Sequence, residues 1–160
     1  MKPSPHSPRL TTTEALDLFL HADTAELMGR ADEVRRRLHG QTTCFTHSLN
    51  LNPTNVCENR CELCAFWREP DAPDAYVLSL DQAREQLVAA KSLGLTDLHI
   101  VAGLRDDLNL EYYESLFKMA REILPPVLIQ GLTAVEIHYM AGKARLTIRE
   151  TLQRLQAAGI

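Results

Sequence analysis

The sequence predicts an α/β fold in which three short strands form a parallel sheet and helices connect them. From residue 44 onward, strand and helix patterns alternate three times, an order typical of right-handed βα crossovers. The 160 residues are 45% hydrophobic and 24% charged, which is ordinary for a globular domain and unlike a disordered chain. This length is enough for one domain with a hydrophobic core.

Residues 1–41 are predicted to form a helical leader that precedes the sheet. The segment 1–10 is rich in proline and shows no periodicity. Thr11 and Glu14 have the spacing of a capping box, so a helix should begin there. A second helix is expected from about Thr24 to His39. Its apolar stripe consists of Leu27, Ala31, Val34 and Leu38.

The first βα unit begins with a strand over residues 45–52, where apolar and polar side chains alternate. A long loop rich in Asn, Cys, Pro and Asp then runs to about residue 78. Ser79 and Gln82 again have capping-box spacing, so the crossover helix should start at this point and stop at Gly94.

The second and third units repeat this order. Residues 97–102 form a short apolar strand, and the helix after it should span about Asn109 to Leu124, where two prolines end it. Residues 127–132 form the third strand. Thr147 and Gly159 are the expected start and end of the last helix.

Composition excludes several classes of function. With 17 Lys and Arg against 21 Asp and Glu, the net charge of −4 argues against a nucleic-acid-binding surface. No apolar run reaches the roughly 18 residues that a membrane span needs, and the opening residues lack the apolar region of an export signal. A cytoplasmic protein with neither a nucleic-acid nor a membrane partner is therefore expected. In that compartment its four cysteines indicate metal or redox ligands.

The strongest chemical signal is the segment NPTNVCENRCELCAFW, in which Cys57, Cys61 and Cys64 have C-x₃-C-x₂-C spacing. The loop that carries them follows the first strand, so it should lie at the carboxyl edge of the sheet, where α/β proteins place their chemistry. Iron–sulfur electron carriers usually supply four cysteines to each cluster. Three ligands to a four-iron cluster would leave one iron open for a substrate.

Two alternatives remain open for this loop. One is a structural zinc site that takes His47 or another histidine as its fourth ligand, and the other is no metal at all. Cys44 lies at the start of the first strand, more than ~20 Å from the loop at ~3.3 Å per residue. It is predicted to be a small buried hydrophobe. His99, in the second strand, is predicted to be a core histidine.

The cysteine segment resembles the signature loop of the radical S-adenosylmethionine (radical SAM) enzymes. The resemblance runs from about residue 42 to 160 and is strongest to the branch that contains the futalosine-pathway menaquinone enzymes and the deazaflavin-cofactor synthases. Matching residues include Thr54 and Asn55 before the first cysteine, HIVAGL at 99–104, and TAVEI at 133–137. The TAVE stretch is similar to that of the aminofutalosine (aminodeoxyfutalosine) synthases.

This resemblance implies that residues 42–160 are the N-terminal portion of a TIM-type (βα)₈ barrel, about three βα units long. Such a barrel has eight units in about 250 residues. The resemblance therefore implies a truncated form, whose missing C-terminal half would be a partner.

The resemblance also implies a site. Cys57, Cys61 and Cys64 would hold a [4Fe-4S] cluster whose open iron binds S-adenosylmethionine. The backbone carbonyls of Ala102 and Gly103 would receive the methionine amino group, and Leu63 and Phe66 would flank the cofactor. Glu136, at the end of the third strand, is the candidate catalytic residue and would hold a polar part of the ligand.

By resemblance, the reaction adds the 5′-deoxyadenosyl radical to the enol ether 3-[(1-carboxyvinyl)oxy]benzoate, giving aminodeoxyfutalosine. Electrons would come from an external donor such as flavodoxin or ferredoxin. The alternatives are the cyclic dehypoxanthine futalosine synthase or deazaflavin-cofactor synthase type, or a metal-binding remnant that turns nothing over. The 160-residue chain alone is expected to bind a cluster but make no aminodeoxyfutalosine.

Overall fold

A computed structural model describes residues 9–160, so residues 1–8, the start of the predicted leader, lie outside the described residues. The chain divides into two compact units, of which the first ends at Phe45 and the second is Thr46–Ile160. The first unit contains helices α1 (Thr12–His21) and α2 (Thr24–His39).

The start of α1 and both bounds of α2 are as predicted, because their caps form as expected. The Thr11 side chain accepts from the Glu14 amide in a capping box, and Gly40, with φ of 62°, ends α2. The apolar stripe of α2 is only partly covered. Leu27, Val34 and Leu38 stay 39%, 44% and 38% exposed, since two helices alone offer no further layer to cover them.

The second unit contains a three-stranded parallel sheet in the order β1-β2-β3. Its strands are β1 (Ser48–Leu51), β2 (Asp97–Ile100) and β3 (Leu128–Gly131). Leu49, Leu98 and Ile129 are neighbours in register across the sheet. The predicted parallel sheet and the α/β class are confirmed.

Four helices accompany the sheet: α3 (Leu80–Ala90), α4 (Leu110–Ile123), α5 (Ala134–Ala144) and α6 (Ile148–Ala158). The core forms between one face of the sheet and these helices, around Leu51, Leu98, Ile100, Leu87, Phe117 and Leu155, all of which have no exposed surface. The helix α4 is the centre of this layer, because it buries seven side chains. None of the helices within residues 9–160 is long and apolar enough to cross a bilayer.

Two predictions about the strands are wrong. The strand β1 begins at Ser48 rather than near residue 45, so Phe45 is 82% exposed and Cys44 is exposed rather than buried. His99 is exposed too, since it lies on the sheet face opposite the core, where its Nδ1 is 3.2 Å from Asn50 Oδ1.

Glu136 lies in helix α5 rather than in the third strand. The sequence argument placed this residue at the end of the third strand, whereas β3 ends at Gly131 and Glu136 lies in the first turn of α5. Thr133 is the N-cap and forms a capping box with Glu136. The T-x-x-E spacing that predicted other helices is present here as well.

Candidate metal centre

The cysteine loop follows β1, so it begins at the carboxyl edge of the sheet. Its base is buried from Pro53 to Val56. The Thr54 hydroxyl donates to the Tyr76 carbonyl at 2.6 Å, and the Leu78 amide donates to the Pro53 carbonyl at 2.7 Å. These bonds join the two ends of the loop, so the cysteines extend from a closed base.

Asn55 strengthens the same base with its side chain. It is 5% exposed, and its Nδ2 donates to the Asp74 carbonyl while its Oδ1 accepts from the Tyr76 amide, both at 2.8 Å. A buried amide with donor and acceptor both satisfied specifies one loop conformation. Thr54 and Asn55, which carried part of the family resemblance, are thus structural supports of the loop.

The tip of the loop carries the three cysteines, all of them free thiols. Cys57 is half-buried, whereas Cys61 and Cys64 are exposed. The Cys64 amide donates to the Cys61 carbonyl at 3.0 Å, which closes a tight turn between them. Arg60 has a φ of 45°, a left-handed conformation that turns the chain just before the second cysteine.

A turn after β2 packs against the first cysteine. The Gly103 amide donates to the Thr54 carbonyl and the Glu58 amide donates to the Leu104 carbonyl, both at 3.0 Å. The Leu104 amide donates to Cys57 Sγ at 3.3 Å. A Cβ on Gly103 would lie 2.1 Å from the Val56 carbonyl oxygen. Only glycine therefore allows the turn and the loop to approach this closely.

Arg68 supports the second half of the loop, and sequence reasoning gave it no site role. Its guanidinium donates to the Ala65 and Trp67 carbonyls, each at 2.9 Å, and to Asp74 Oδ2 at 2.7 Å. The hydrogen bond from Arg68 holds the pKa of Asp74 below its usual range. No spacing rule would have found this residue, because its partners are mostly backbone carbonyls.

The two predicted flanking side chains differ in their surroundings. Leu63 is fully exposed, and Phe66 is 42% exposed with its ring edge-on to Tyr76 at a centroid distance of 6.5 Å. Both stand on the cysteine loop with surface available to a ligand. Phe66 is held by its neighbour, whereas Leu63 is not.

Glu136 is 4% exposed, and both of its carboxylate oxygens are hydrogen-bonded. Oε1 accepts from the Ala102 amide at 2.8 Å, and Oε2 accepts from the Thr133 amide at 2.6 Å. The structure thus brings Glu136, Ala102, Gly103 and Cys57 together through one turn.

A second polar group adjoins this turn and was not predicted. The Tyr139 hydroxyl donates to Asp106 Oδ1 at 2.7 Å, and Lys143 pairs with the same carboxylate. Burial, with the neighbouring Asp106 and Glu58 carboxylates, raises the pKa of Tyr139, and Lys143 lowers the pKa of Asp106. A cavity of about 320 Å³ lies beside this group, between the start of α4 and α5. The sequence offered one signal for this group: Tyr139 and Lys143 are four residues apart, which places them on one face of a helix.

The donor chemistry of the loop fits an iron–sulfur cluster. Three free thiols on eight consecutive residues are soft ligands, and the amide aimed at Cys57 is the kind of hydrogen bond that cluster sulfurs accept. The Oδ1 atom of Asn52 is buried without a partner among residues 9–160. Within that range no three His, Cys, Asp or Glu side chains are already arranged around a metal position.

Comparison with known proteins gives consistent matches. A sequence model described as "Radical SAM superfamily" matches residues 51–160. The aminodeoxyfutalosine synthase of Streptomyces coelicolor is 36% identical over 95% of this chain and 39% of its own length. The 5-amino-6-(D-ribitylamino)uracil–L-tyrosine 4-hydroxyphenyl transferase of Methanopyrus kandleri is 33% identical over 86% of this chain and 37% of its own length.

Among solved structures, the FeFe-hydrogenase maturase HydG from Carboxydothermus hydrogenoformans superposes with a TM-score of 0.62. The match covers 95% of this chain and 43% of that one, at 22% identity, and it supports the fold alone. The chain spans about two fifths of the length of the curated relatives named above.

Proposed function

The chain belongs to the radical SAM superfamily, and from this membership we propose that Cys57, Cys61 and Cys64 hold a [4Fe-4S] cluster that binds S-adenosylmethionine. The observation that carries the proposal is the loop of three free thiols at the carboxyl edge of the sheet, with an amide already donating to Cys57. Reductive cleavage of the sulfonium bond of S-adenosylmethionine is the chemistry that the bound cluster supplies.

The protein residues in this proposal bind and orient. The Ala102-Gly103 turn offers backbone carbonyls to the methionine amino group, and the absence of a side chain on Gly103 keeps the turn beside the first cysteine. Leu63 and Phe66 cover the adenine end with apolar surface. An external one-electron donor of the flavodoxin or ferredoxin class reaches the exposed tip of the loop.

The reaction we propose is addition of the 5′-deoxyadenosyl group to the enol-ether double bond of 3-[(1-carboxyvinyl)oxy]benzoate, which forms aminodeoxyfutalosine. The 36% identity to an aminodeoxyfutalosine synthase and the TAVE stretch at 133–136 support it. The 33% identity to the Methanopyrus kandleri transferase favours, as a second candidate, the deazaflavin type with tyrosine as substrate. Cyclic dehypoxanthine futalosine synthase chemistry is the third.

The cluster is tested by anaerobic reconstitution with iron and sulfide. The protein should turn brown, with broad visible absorbance that dithionite bleaches. Changing Cys57, Cys61 or Cys64 to Ala should abolish the colour, because each removes one of three thiolate ligands. Cys44→Ala is the matched control and should keep it, since Cys44 is an exposed thiol outside the loop. A colourless protein with stoichiometric zinc would contradict the proposal.

The reaction is tested by chromatography of mixtures that contain reductant, S-adenosylmethionine and either the enol-ether benzoate or tyrosine with the ribitylaminouracil. We propose that the 160-residue chain alone cleaves S-adenosylmethionine slowly and forms no aminodeoxyfutalosine. A three-stranded sheet leaves much of a bound radical open to water, whereas productive addition needs enclosure. A second polypeptide that carries the remaining βα units of a (βα)₈ barrel, added in trans, should then restore product. Abundant product without it would contradict this expectation.

A further inference from the structure

The carboxylate of Glu136 links two elements that are far apart in sequence. One oxygen accepts from the Thr133 amide, three residues before it, and the other from the Ala102 amide, 34 residues before it. The side chain is 4% exposed and forms no salt bridge within residues 9–160. A buried carboxylate oxygen without a hydrogen-bond partner is costly, so each of the two oxygens needs a donor of this kind.

The other capping boxes of this chain show that helix capping does not need the second contact. Among the residues that the structure describes, Glu14 in α1 and Glu150 in α6 accept only from the N-cap residue of their own helix. In α3 the same position is Gln82, whose Oε1 accepts from the Ser79 amide. A neutral amide therefore satisfies a capping box. The second carboxylate oxygen of Glu136 is not needed for capping and accepts the Ala102 amide instead.

Ala102 begins the turn that reaches the first cysteine. Three successive amides point to three different acceptors: Ala102 to Glu136, Gly103 to the Thr54 carbonyl, and Leu104 to Cys57 Sγ. In a trans peptide the N–H and C=O groups point in opposite directions, so fixing each amide also fixes the carbonyl before it. Glu136 thus sets the first peptide plane of this turn.

The connection from β3 to α5 is built to place Glu136 there. Leu132 has a φ of 66°, and its amide donates to the Ile100 carbonyl at 2.9 Å. A left-handed leucine is costly, so the surrounding contacts must hold it in place. This bend brings the first turn of α5 beside the end of β2.

We propose that Glu136 is a positioning residue that holds the Ala102–Leu104 turn against Cys57, rather than a group that contacts substrate. The proposal rests on the proposed function only in its last step, the effect on S-adenosylmethionine. Its first step, the anchoring of Ala102, belongs to the chain without a cluster.

The test compares Glu136→Gln with Glu150→Gln, which makes the same change in the exposed capping box of α6. Gln at position 136 keeps the box, as Gln82 does in α3, and removes one of two acceptors. In the full chain without metal, amide hydrogen exchange should become at least tenfold faster at Ala102 in the Glu136 variant. The Glu150 variant should leave that rate unchanged.

After reconstitution, both variants should contain as much iron as the wild type. We expect Glu136→Gln to bind S-adenosylmethionine about tenfold more weakly, which corresponds to about 1.4 kcal/mol. We also expect its cluster to have a lower reduction potential, because the amide bond to Cys57 is held less firmly. Glu136→Asp keeps the charge but is one methylene shorter, so it should show the same loss and provides a second variant.

Unchanged exchange at Ala102 would overturn the proposal. Weaker binding with unchanged exchange would also overturn it, since a direct contact with the ligand would then be the explanation. A wild-type chain that takes up no iron would contradict the proposed function, whereas the exchange comparison would still decide the anchoring role.

Discussion

Gly103 is the residue at which the site depends most directly on the absence of a side chain. Its φ is not in the left-handed region, so alanine is acceptable to the backbone and only space opposes it. Gly103→Ala would place a methyl group 2.1 Å from the Val56 carbonyl oxygen. We expect a loss of about 2–3 kcal/mol in the free energy of unfolding, measured by urea denaturation, as for an overpacked core.

The control for this change is Gly142→Ala in α5, where an added Cβ meets nothing within 4 Å. Alanine is the better helix former, so this variant should gain about 0.5–1 kcal/mol. Equal stability of the two variants would mean that the turn moves away from the loop without cost.

At the residue scale, sequence reasoning proposed three cysteines whose spacing is typical of a metal-binding loop. The three cysteines are recognisable because C-x₃-C-x₂-C is rare and sits after a strand pattern. The supports of the loop were not predicted in their roles, since Asn55 and Arg68 act through backbone groups 19 and 3 residues away. The contact of Asn55 depends on how two distant segments meet, and the contacts of Arg68 depend on the irregular path of the loop; no sequence pattern records either.

At the scale of elements, helix α6 is held to α4 by a charged group. Arg154 donates to Glu114 at 2.6 Å and to Glu111 at 3.1 Å. The hydrogen bonds from Arg154 lower the pKa of Glu114, whose side chain is 18% exposed. A carboxylate with a lowered pKa in the folded state stabilises the fold above its unfolded pKa, near 4.3. That contribution disappears as the pH falls through the folded value.

We therefore expect Glu114→Gln to flatten the loss of stability between about pH 5 and pH 3, where Glu114 is protonated on unfolding in the wild type. Urea midpoints across that range provide the measurement. Glu122→Gln, on the same helix but without a salt bridge within residues 9–160, should keep the wild-type slope. Identical slopes in both variants would assign the pH dependence to other carboxylates.

Elements with explicit caps were predicted well, and elements defined by burial were not. Thr11, Ser79, Asn109 and Thr147 begin their helices as expected, because a cap is a local hydrogen bond between neighbours in sequence. The strand β1 is shorter than its alternation suggested, and Cys44, which was predicted to be buried, is exposed. Both depend on what packs against the segment, which periodicity alone does not specify.

For the whole molecule, the core of the second unit is separate from the cysteine loop. Its fully buried side chains lie between the sheet and the helices, and none is a cysteine. Removing iron with a chelator under mild oxidation should therefore leave the helical circular dichroism unchanged and unfolding cooperative. Small zinc domains behave differently, since they unfold without their metal. Loss of helical signal on chelation would show that the loop holds the fold.

The contact between Gly103 and Val56 also imposes an order of events on the newly made protein. Residues 47 positions apart in the chain must meet before Cys57 receives its amide hydrogen bond, so helix α3 and strand β2 have to be in place first. The amide bond to Cys57 therefore belongs to the folded unit rather than to the cysteine loop alone. If the three thiols take up the proposed cluster, they do so from a loop whose amide bond to Cys57 the fold has already made, with Cys61 and Cys64 facing solvent.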